Sequence, residues 1–368
     1  RDPTYRKFGE RLAALKAQEP NFVTTMVVRE RRENPRVTHV HIGGDFTRKG
    51  DPVNPGVPAS LPSLGSSGKT GEPLNRLDLA NWLVDRRNPL TARVAGNRIW
   101  QIYFGRGLVE TDNDFGTQGT PPSHPELLDW LACELMDRGW SMKAIHRLIV
   151  TSATYRQSSI ARPEAQGVDA RNRLLWRQSR LRLDAELIRD SALTVSGLLT
   201  RAIGGPSVFP PQPDGVMTLG QMKRAWVSDQ GPNRFRRGLY TYFWRATPHP
   251  FLTVFDAPNA TQSCTRRLRS NTPLQALTLL NDQSGIEIAR ALAERVVRDC
   301  PPPRTDEDRI RRAFALTLGR EPTDRELATL LRFTGREGFT SSGISGQNEA
   351  WVDLARILLN LDEFMTRE

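Results

Sequence analysis

Apolar positions recur at helical spacing through most of the chain, and at strand spacing only near its start. Residues 5–17 predict a short helix. From Asn75 onward Leu77, Ala80, Leu83 and Val84 share one helical face. Thr91 predicts a cap for a helix running to about Phe104, closed by Gly105. Ser123 and Glu126 have the spacing of a capping box, and Leu127, Leu128, Leu131 and Leu135 follow at core spacing up to Gly139. Ser141 predicts the cap of a helix carrying Ile145, Leu148 and Ile149. Asp184 to Ala202 reads as one long helix ended by Gly204-Gly205. Thr272-Pro273-x-Gln275 is a second capping box with proline at the first helical position. It opens a long helix to about Arg298, broken by Pro301-Pro302-Pro303. Thr323 and Glu326 open another, and Trp351 to Phe364 supplies the last.

Two β-rich runs, Phe22–Arg29 and Val37–Ile42, predict a strand pair with Asn34-Pro35 at the turn. Gly238–Trp244 predicts a further strand. Residues 47–73 and 205–233 are proline-rich and read as long loops. The expected fold is mainly α with a few short strands (α+β), a long-looped helical domain. Residues 1–300 are expected to form the main helical domain with its N-terminal strand pair. Residues 301–368 are expected to form a C-terminal helical subdomain packed on it. No fixed-period repeat is present.

Charge adds a surface property to this picture. Lysine and arginine number 52 against 41 acidic residues, a net charge of +11, which draws polyanions such as nucleic acid or sulfated glycan. The surplus is spread along the chain in arginine clusters at 29–32, 171–189, 234–237 and 266–269, as on a solvated basic surface. There is no zinc-finger or RNA-recognition signature. No apolar run reaches bilayer-spanning length, and the polar start at Arg1 lacks a signal-peptide pattern and suggests a piece of something longer. The three cysteines, Cys133, Cys264 and Cys300, form no C-x-x-C, so neither a zinc ribbon nor an attached c-type haem is expected within the chain. Cys133 falls in an apolar helical pattern and is expected in the core.

Four constellations could carry chemistry. Loop 105–119 combines four glycines with Glu110, Asp112 and Asp114, and His124 stands at the entrance of the next helix. A carboxylate–histidine pair there could do acid–base work or hold a metal; the alternative is an ordered structural loop. On the stretch 180–190, Arg182, Glu186, Arg189 and Asp190 are spaced to meet along one helix face, either buried, as an ion-pair network reaching other segments, or exposed, as solvated pairs. His249 and Asp256 sit in a proline-rich loop followed by Arg266, Arg267 and Asn271, an arrangement suited to an anion or to loop packing. His39 and His41 alternate on one strand face, without a third metal ligand in view. Hydrolase, zinc-protease, P-loop and Rossmann fingerprints are not present.

A resemblance runs through the same stretches. NRIW at 97–100, FGRGLV at 104–109, DFGTQG at 114–119, HPELLDWLA at 124–132 and GWSMKAIHRLIVTSATYRQS at 139–158 are similar to a planctomycete-specific C-terminal domain family, domain of unknown function 1553. NRLLWRQSRLRLDAELIRDSAL at 172–193, GGPSV at 204–208, RRGLYTYFWR at 236–245, FDAPNA at 255–260 and NTPLQALTLLND at 271–282 continue it. The resemblance implies a domain joined to a second planctomycete-specific domain and a cytochrome-c-like domain upstream. It thereby implies a periplasmic or cell-envelope location, with haem c on the separate upstream domain and no cofactor in this chain. It also implies contact with those upstream domains and with carbohydrate. The family pattern carries histidines after the Trp-Gln pair, where this chain has Ile102 and Tyr103, and Arg-Gly-Asp where it has Gly43-Gly44-Asp45.

Two functions follow from these residues. In the first, loop 105–124, helix 180–190 and loop 245–267 form a pocket that binds or processes a polar, carbohydrate-like ligand. His124, Asp114 and Asp256 would carry the chemistry there, and Arg182, Glu186, Arg267 and Asn281 would bind. In the second, the same residues form ion pairs that lock loops between helices in a non-catalytic scaffold or binding domain. Convergence of His124, Asp114 and Asp256 on one cleft is what the first requires.

Overall fold

The computed structural model describes residues 3–20, 24–29, 31, 34, 36–65, 74–218, 225–335 and 346–367. The chain divides into two units, Arg1–Pro89 and Leu90–Glu368. Helices dominate, and the described strands form only two short antiparallel pairs, so the fold is mainly α with a few strands.

In the first unit, helix α1 (Pro3–Ala17) forms where its spacing predicts, but Tyr5, Phe8, Leu12 and Leu15 are all exposed. Strand β1 (Thr38–His41) pairs with β2 (Lys49–Val53), Thr38 opposite Val53 and His41 opposite Lys49. The expected partner was the 22–29 run; residues 24–29 form no strand, while 22, 23 and Pro35 lie outside the described residues. The true partner comes from a stretch read as loop. Gly43 and Gly44 at positive φ, with Asp45 accepting from the Thr47 N–H at 2.8 Å, turn the chain within a few residues. Such a local hairpin closes at lower entropic cost than a longer connection. His39 gives its Nδ1 to the Gly50 carbonyl at 2.9 Å, and His41 is exposed. Helix α2 (Arg76–Leu83) is opened by an Asn75–Asp78 capping box. It buries Asp78 while Leu77, Leu83 and Val84 are exposed, the reverse of the face the periodicity predicts.

The second unit has two apolar cores. Helices α3 (Thr91–Phe104), α4 (Pro125–Asp137) and α5 (Met142–Thr151) build one, from Ile99, Trp100 and Phe104, Leu128, Leu131 and Leu135, and Ile145 and Ile149. Gly105, at φ 75, ends α3 with its N–H on the Gln101 carbonyl, as predicted. Ser141 caps α5 by accepting from the Ala144 N–H. The Ser123–Glu126 capping box does not form. Pro125 takes the first helical position, which makes His124 the cap residue and moves Ser123 outside the helix. Cys133 is exposed on α4 and Cys300 is the buried cysteine; all three thiols are free.

Short helices α6 (Ala153–Arg156) and α7 (Pro163–Val168) lead to β3 (Leu181–Arg182), which opens the second core. That core is built by α8 (Ala185–Ser196), α9 (Pro250–Val254), α10 (Pro273–Asn281), α11 (Gln283–Asp299), α12 (Asp306–Thr317), α13 (Asp324–Thr334) and α14 (Gly346–Leu359). Ile188 and Leu193, Ile288, Leu292 and Val296, Ile310 and Phe314, and Leu354 and Leu358 share it, so residues on both sides of position 300 pack together. Helix α15 (Asp362–Met365) leads into β4 (Thr366–Arg367), which pairs with β3.

Four further elements depart from the sequence pattern. Helix α8 stops at Gly197 (φ 82), not at Gly204, because the left-handed glycine closes it first. The long helix from Thr272 is two, since extended Asp282 ends α10 and its carboxylate caps α11 at the Ser284 N–H, 2.9 Å. A Cβ on Gly285 would meet the Leu279 carbonyl at 2.7 Å, so glycine is what the corner admits. Gly238–Trp244 is a 3-10 turn over Gly238–Tyr240 with one isolated bridge from Thr241 to Val208. Helix α12, unmarked in the periodicity, is opened by a Thr305–Asp308 capping box.

Candidate functional site

The loop after α3 is built on Asn97. Its side chain is fully buried, donates to the Val109 carbonyl at 3.0 Å and accepts from the Val109 N–H at 2.9 Å. A Cβ on Gly107 would meet the Asn97 amide nitrogen and the Val109 carbonyl, each at 2.6 Å, so glycine is required for this clamp. Farther along, the loop bonds to itself. Thr111 Oγ1 donates to the Asp114 carbonyl and accepts from the Thr120 N–H, and the Asp114 carboxylate accepts from the Gly116 N–H at 2.8 Å. The Ser123 N–H returns to the Leu108 carbonyl at 2.9 Å.

Facing this loop is the segment 169–181. Asn172 and Leu175 sit at positive φ, 51° and 58°, a conformation that costs non-glycine residues energy. Crossed bonds hold it: Asn172 Nδ2 to the Arg177 carbonyl, the Leu174 N–H to Asp169 Oδ2, and Gln157 Nε2 to the Leu175 carbonyl. Between the two segments lies a hollow of about 220 Å³. Trp100, Phe104, Leu108, Leu175 and Leu181 give its apolar side; Trp100 and Phe104 stack at 4.2 Å and are buried. Arg106, Glu110, Ser123, Arg171, Asn172, Arg173 and Ser179 give its polar side. Arg106 Nε stands 3.6 Å from Glu110, and Arg106 Nη1 is buried without a hydrogen-bond partner among the described residues.

A second polar cluster lies at the start of α8. Arg267 forms a two-pronged pair with Glu186 at 2.6 and 3.2 Å, and Arg267 and Arg269 lie 3.8 and 3.6 Å from Asp184. Burial works to raise the Glu186 carboxyl, but the Arg267 guanidinium outweighs it and holds the group below its ordinary value. Asp190 accepts from Arg237 Nε at 2.8 Å and from the Gly238 N–H at 2.6 Å. Buried Arg189 donates to the Arg234 carbonyl, and Arg182, on β3, reaches Asp362 and the Met365 sulfur. The four residues reach other segments, the arrangement expected of them as a buried network, and do not pair with one another along the helix face.

The structure distributes the expected site residues over several places. Asp256, at φ 62, accepts from the Ser270 N–H and hydroxyl, both 2.7 Å. It shares a narrow crevice with Arg182, Asp184 and Arg267 that neither His124 nor Asp114 lines. Asn281 bonds back to the Leu277 carbonyl and lines a separate open groove with Arg234 and Glu287. His124 is half-buried and makes no side-chain capping bond; its Nδ1 meets the Ser123 hydroxyl at 3.0 Å, and Ser123 lines the hollow beside α3. His249 is buried, with Nε2 on the Pro211 carbonyl at 3.0 Å, and burial pushes its imidazole down to about 4. Arg106, Asn172 and Ser179 were not singled out by the sequence, although NRLLW and FGRGLV contain the first two. Among the described residues, no group of three or more histidine, cysteine or acidic side chains could hold a metal ion, and no helix is long and apolar enough to cross a membrane.

These segments coincide with a known family. A family model described as PSD1, protein of unknown function (DUF1553), matches residues 75–334, and the chain belongs to that family. No curated protein and no solved structure matches the chain.

Proposed function

We propose that this domain binds a polar, saccharide-like ligand in the hollow between loop 105–110 and segment 171–181. The hollow itself carries the proposal: an apolar side next to seven polar side chains, held by a clamped loop and a strained one. Small-molecule sites combine apolar walls with a few placed polar groups in this way. His124 belongs to the same neighbourhood through Ser123, and no chemical step is assigned to it. Screening the protein against an oligosaccharide array tests the proposal. Binding should be lost when Arg171 and Arg173 are both replaced by alanine. Binding to no oligosaccharide would remove the proposal, and binding untouched by that double replacement would move it elsewhere on the protein.

A second reading applies to the other cluster. Arg267 with Glu186, and Arg237 with Asp190, tie loops 236–238 and 266–269 to α8, which supports a scaffold role for those residues. The family resemblance further supports a cell-envelope setting beside upstream domains, one of them carrying haem c. Fractionation of cells, with haem staining of the full polypeptide, tests this; a haem-free cytosolic protein would overturn it.

A further inference from the structure

Resting on the saccharide reading, we infer that the ligand of the hollow carries an anionic group, a sulfate or a carboxylate, received by Arg106, Arg171 and Arg173. Three guanidiniums line the hollow against one carboxylate, Glu110. Glu110 pairs with one of them, Arg106 Nε at 3.6 Å, and no other carboxylate lines the hollow to match Arg171 and Arg173. Arg106 Nη1 is buried and donates to nothing among the described residues. A buried donor left in that state is unfavourable, and an anionic acceptor in the hollow would relieve it.

Asp169 also acts on Arg106 and Arg173, but its Oδ2 is committed to the Leu174 N–H at 2.8 Å. Counting both acids still leaves three positive charges against two negative ones. The cluster on α8 differs here. Arg267 and Arg269 face Asp184 and Glu186, two against two, so that site is neutral without a ligand. Guanidinium groups suit planar, bidentate recognition of oxyanions.

The size and walls of the hollow point to an acidic sugar rather than to nucleic acid. Its volume of about 220 Å³ lies below the ~300–1,000 Å³ of drug-sized pockets and fits a single ring with its substituent. Nucleic-acid grooves offer exposed aromatic faces for base stacking, whereas Trp100 and Phe104 are 6% and 3% exposed.

Matched saccharide pairs test the inference: sulfated against unsulfated N-acetyllactosamine, and a galacturonate against a galactose trimer, by calorimetry on the purified chain. A single-stranded oligonucleotide completes the set. The acidic member of each pair should bind roughly tenfold tighter, with the advantage shrinking as salt rises. Arg106→Ala should abolish the advantage, bringing the acidic member of each pair down to the affinity of the neutral one. Arg171→Ala, at an exposed position that folding tolerates, should reduce it in the same way. Equal affinity within each pair would overturn the anionic group and leave the saccharide reading standing. No binding of any saccharide would overturn both. An oligonucleotide that binds as tightly as the acidic sugars, and is lost with the same variants, would overturn the ligand class.

Discussion

The two polar clusters of the helical unit use arginine in opposite ways. At the start of α8 two guanidiniums are taken up by carboxylates, Arg267 by Glu186 and Arg237 by Asp190, while buried Arg189 donates to the Arg234 carbonyl and keeps an unmatched Nε. Around the hollow beside α3, exposed Arg171 and Arg173 meet no carboxylate of its lining, and Arg106, 3.6 Å from Glu110, keeps Nη1 buried and unmatched. Both regions are arginine-rich in sequence, and both lie within the stretch that defines the family. Abundance of charge therefore does not mark a ligand site. What marks it is charge that the fold positions without neutralising, because only such charge gains by meeting a ligand.

The sharpest way to break this comparison is to release the loop that frames the hollow. Asn97→Ala leaves the buried N–H and C=O of Val109 without partners and should cost about 3 kcal/mol by chemical denaturation, with ligand binding lost. A loss below about 1 kcal/mol would show that the loop is not held by this clamp.

His249 probes the closed region. Its imidazole is buried and neutral, held at about 4 against an ordinary 6.5, so the unfolded chain takes up a proton first as pH falls. Stability should be full above pH 6.5 and decline between about 6.5 and 4, by about 3 kcal/mol in all. His249→Asn should flatten that part of the pH–stability curve; an unchanged slope would assign it to other groups.

A smaller effect is expected from Arg267→Ala, because its side chain is 34% exposed and that of Glu186 is 26%. Between the limits for surface and buried pairs, about 1–2 kcal/mol is expected. With Glu186→Ala in addition, the combined loss should be smaller than the sum, as for residues in contact. Additive losses would mean that the pair contributes nothing as a pair, and the contrast between the clusters would weaken. His124→Ala should have the least effect, under about 1 kcal/mol, because it removes one partly exposed hydrogen bond to Ser123. A collapse of ligand binding in that variant with folding intact would bring His124 into the site itself.

Much of the fold was legible where the responsible contacts are local. Ser141 caps α5, Gly105 closes α3, and the Thr272–Gln275 and Thr323–Glu326 boxes open their helices as the spacing predicts. The errors came where one local signal preempted another, as Pro125 did over Ser123 and Gly197 over Gly204. The candidate site was legible only in outline. The glycine-rich loop and the arginines at 171–189 were visible, but nothing in NRIW says that Asn97 will grip Val109 twelve residues on. Nor does the loop sequence say that the Asp114 carboxylate will turn back onto the Gly116 N–H.

By itself the sequence determined the helical character, the family and most helix boundaries, because capping and periodicity act within three or four residues. Only the tertiary structure decided which charges stay open. Glu186 and Arg267 are 81 positions apart, and Asp190 and Arg237 are 47 apart. Whether such groups meet depends on how whole helices and loops pack, which no spacing along the chain encodes. Arg106 shows both sides: its Nε meets Glu110 four positions on, while its Nη1 is left buried and unmatched, and no spacing along the chain encodes that.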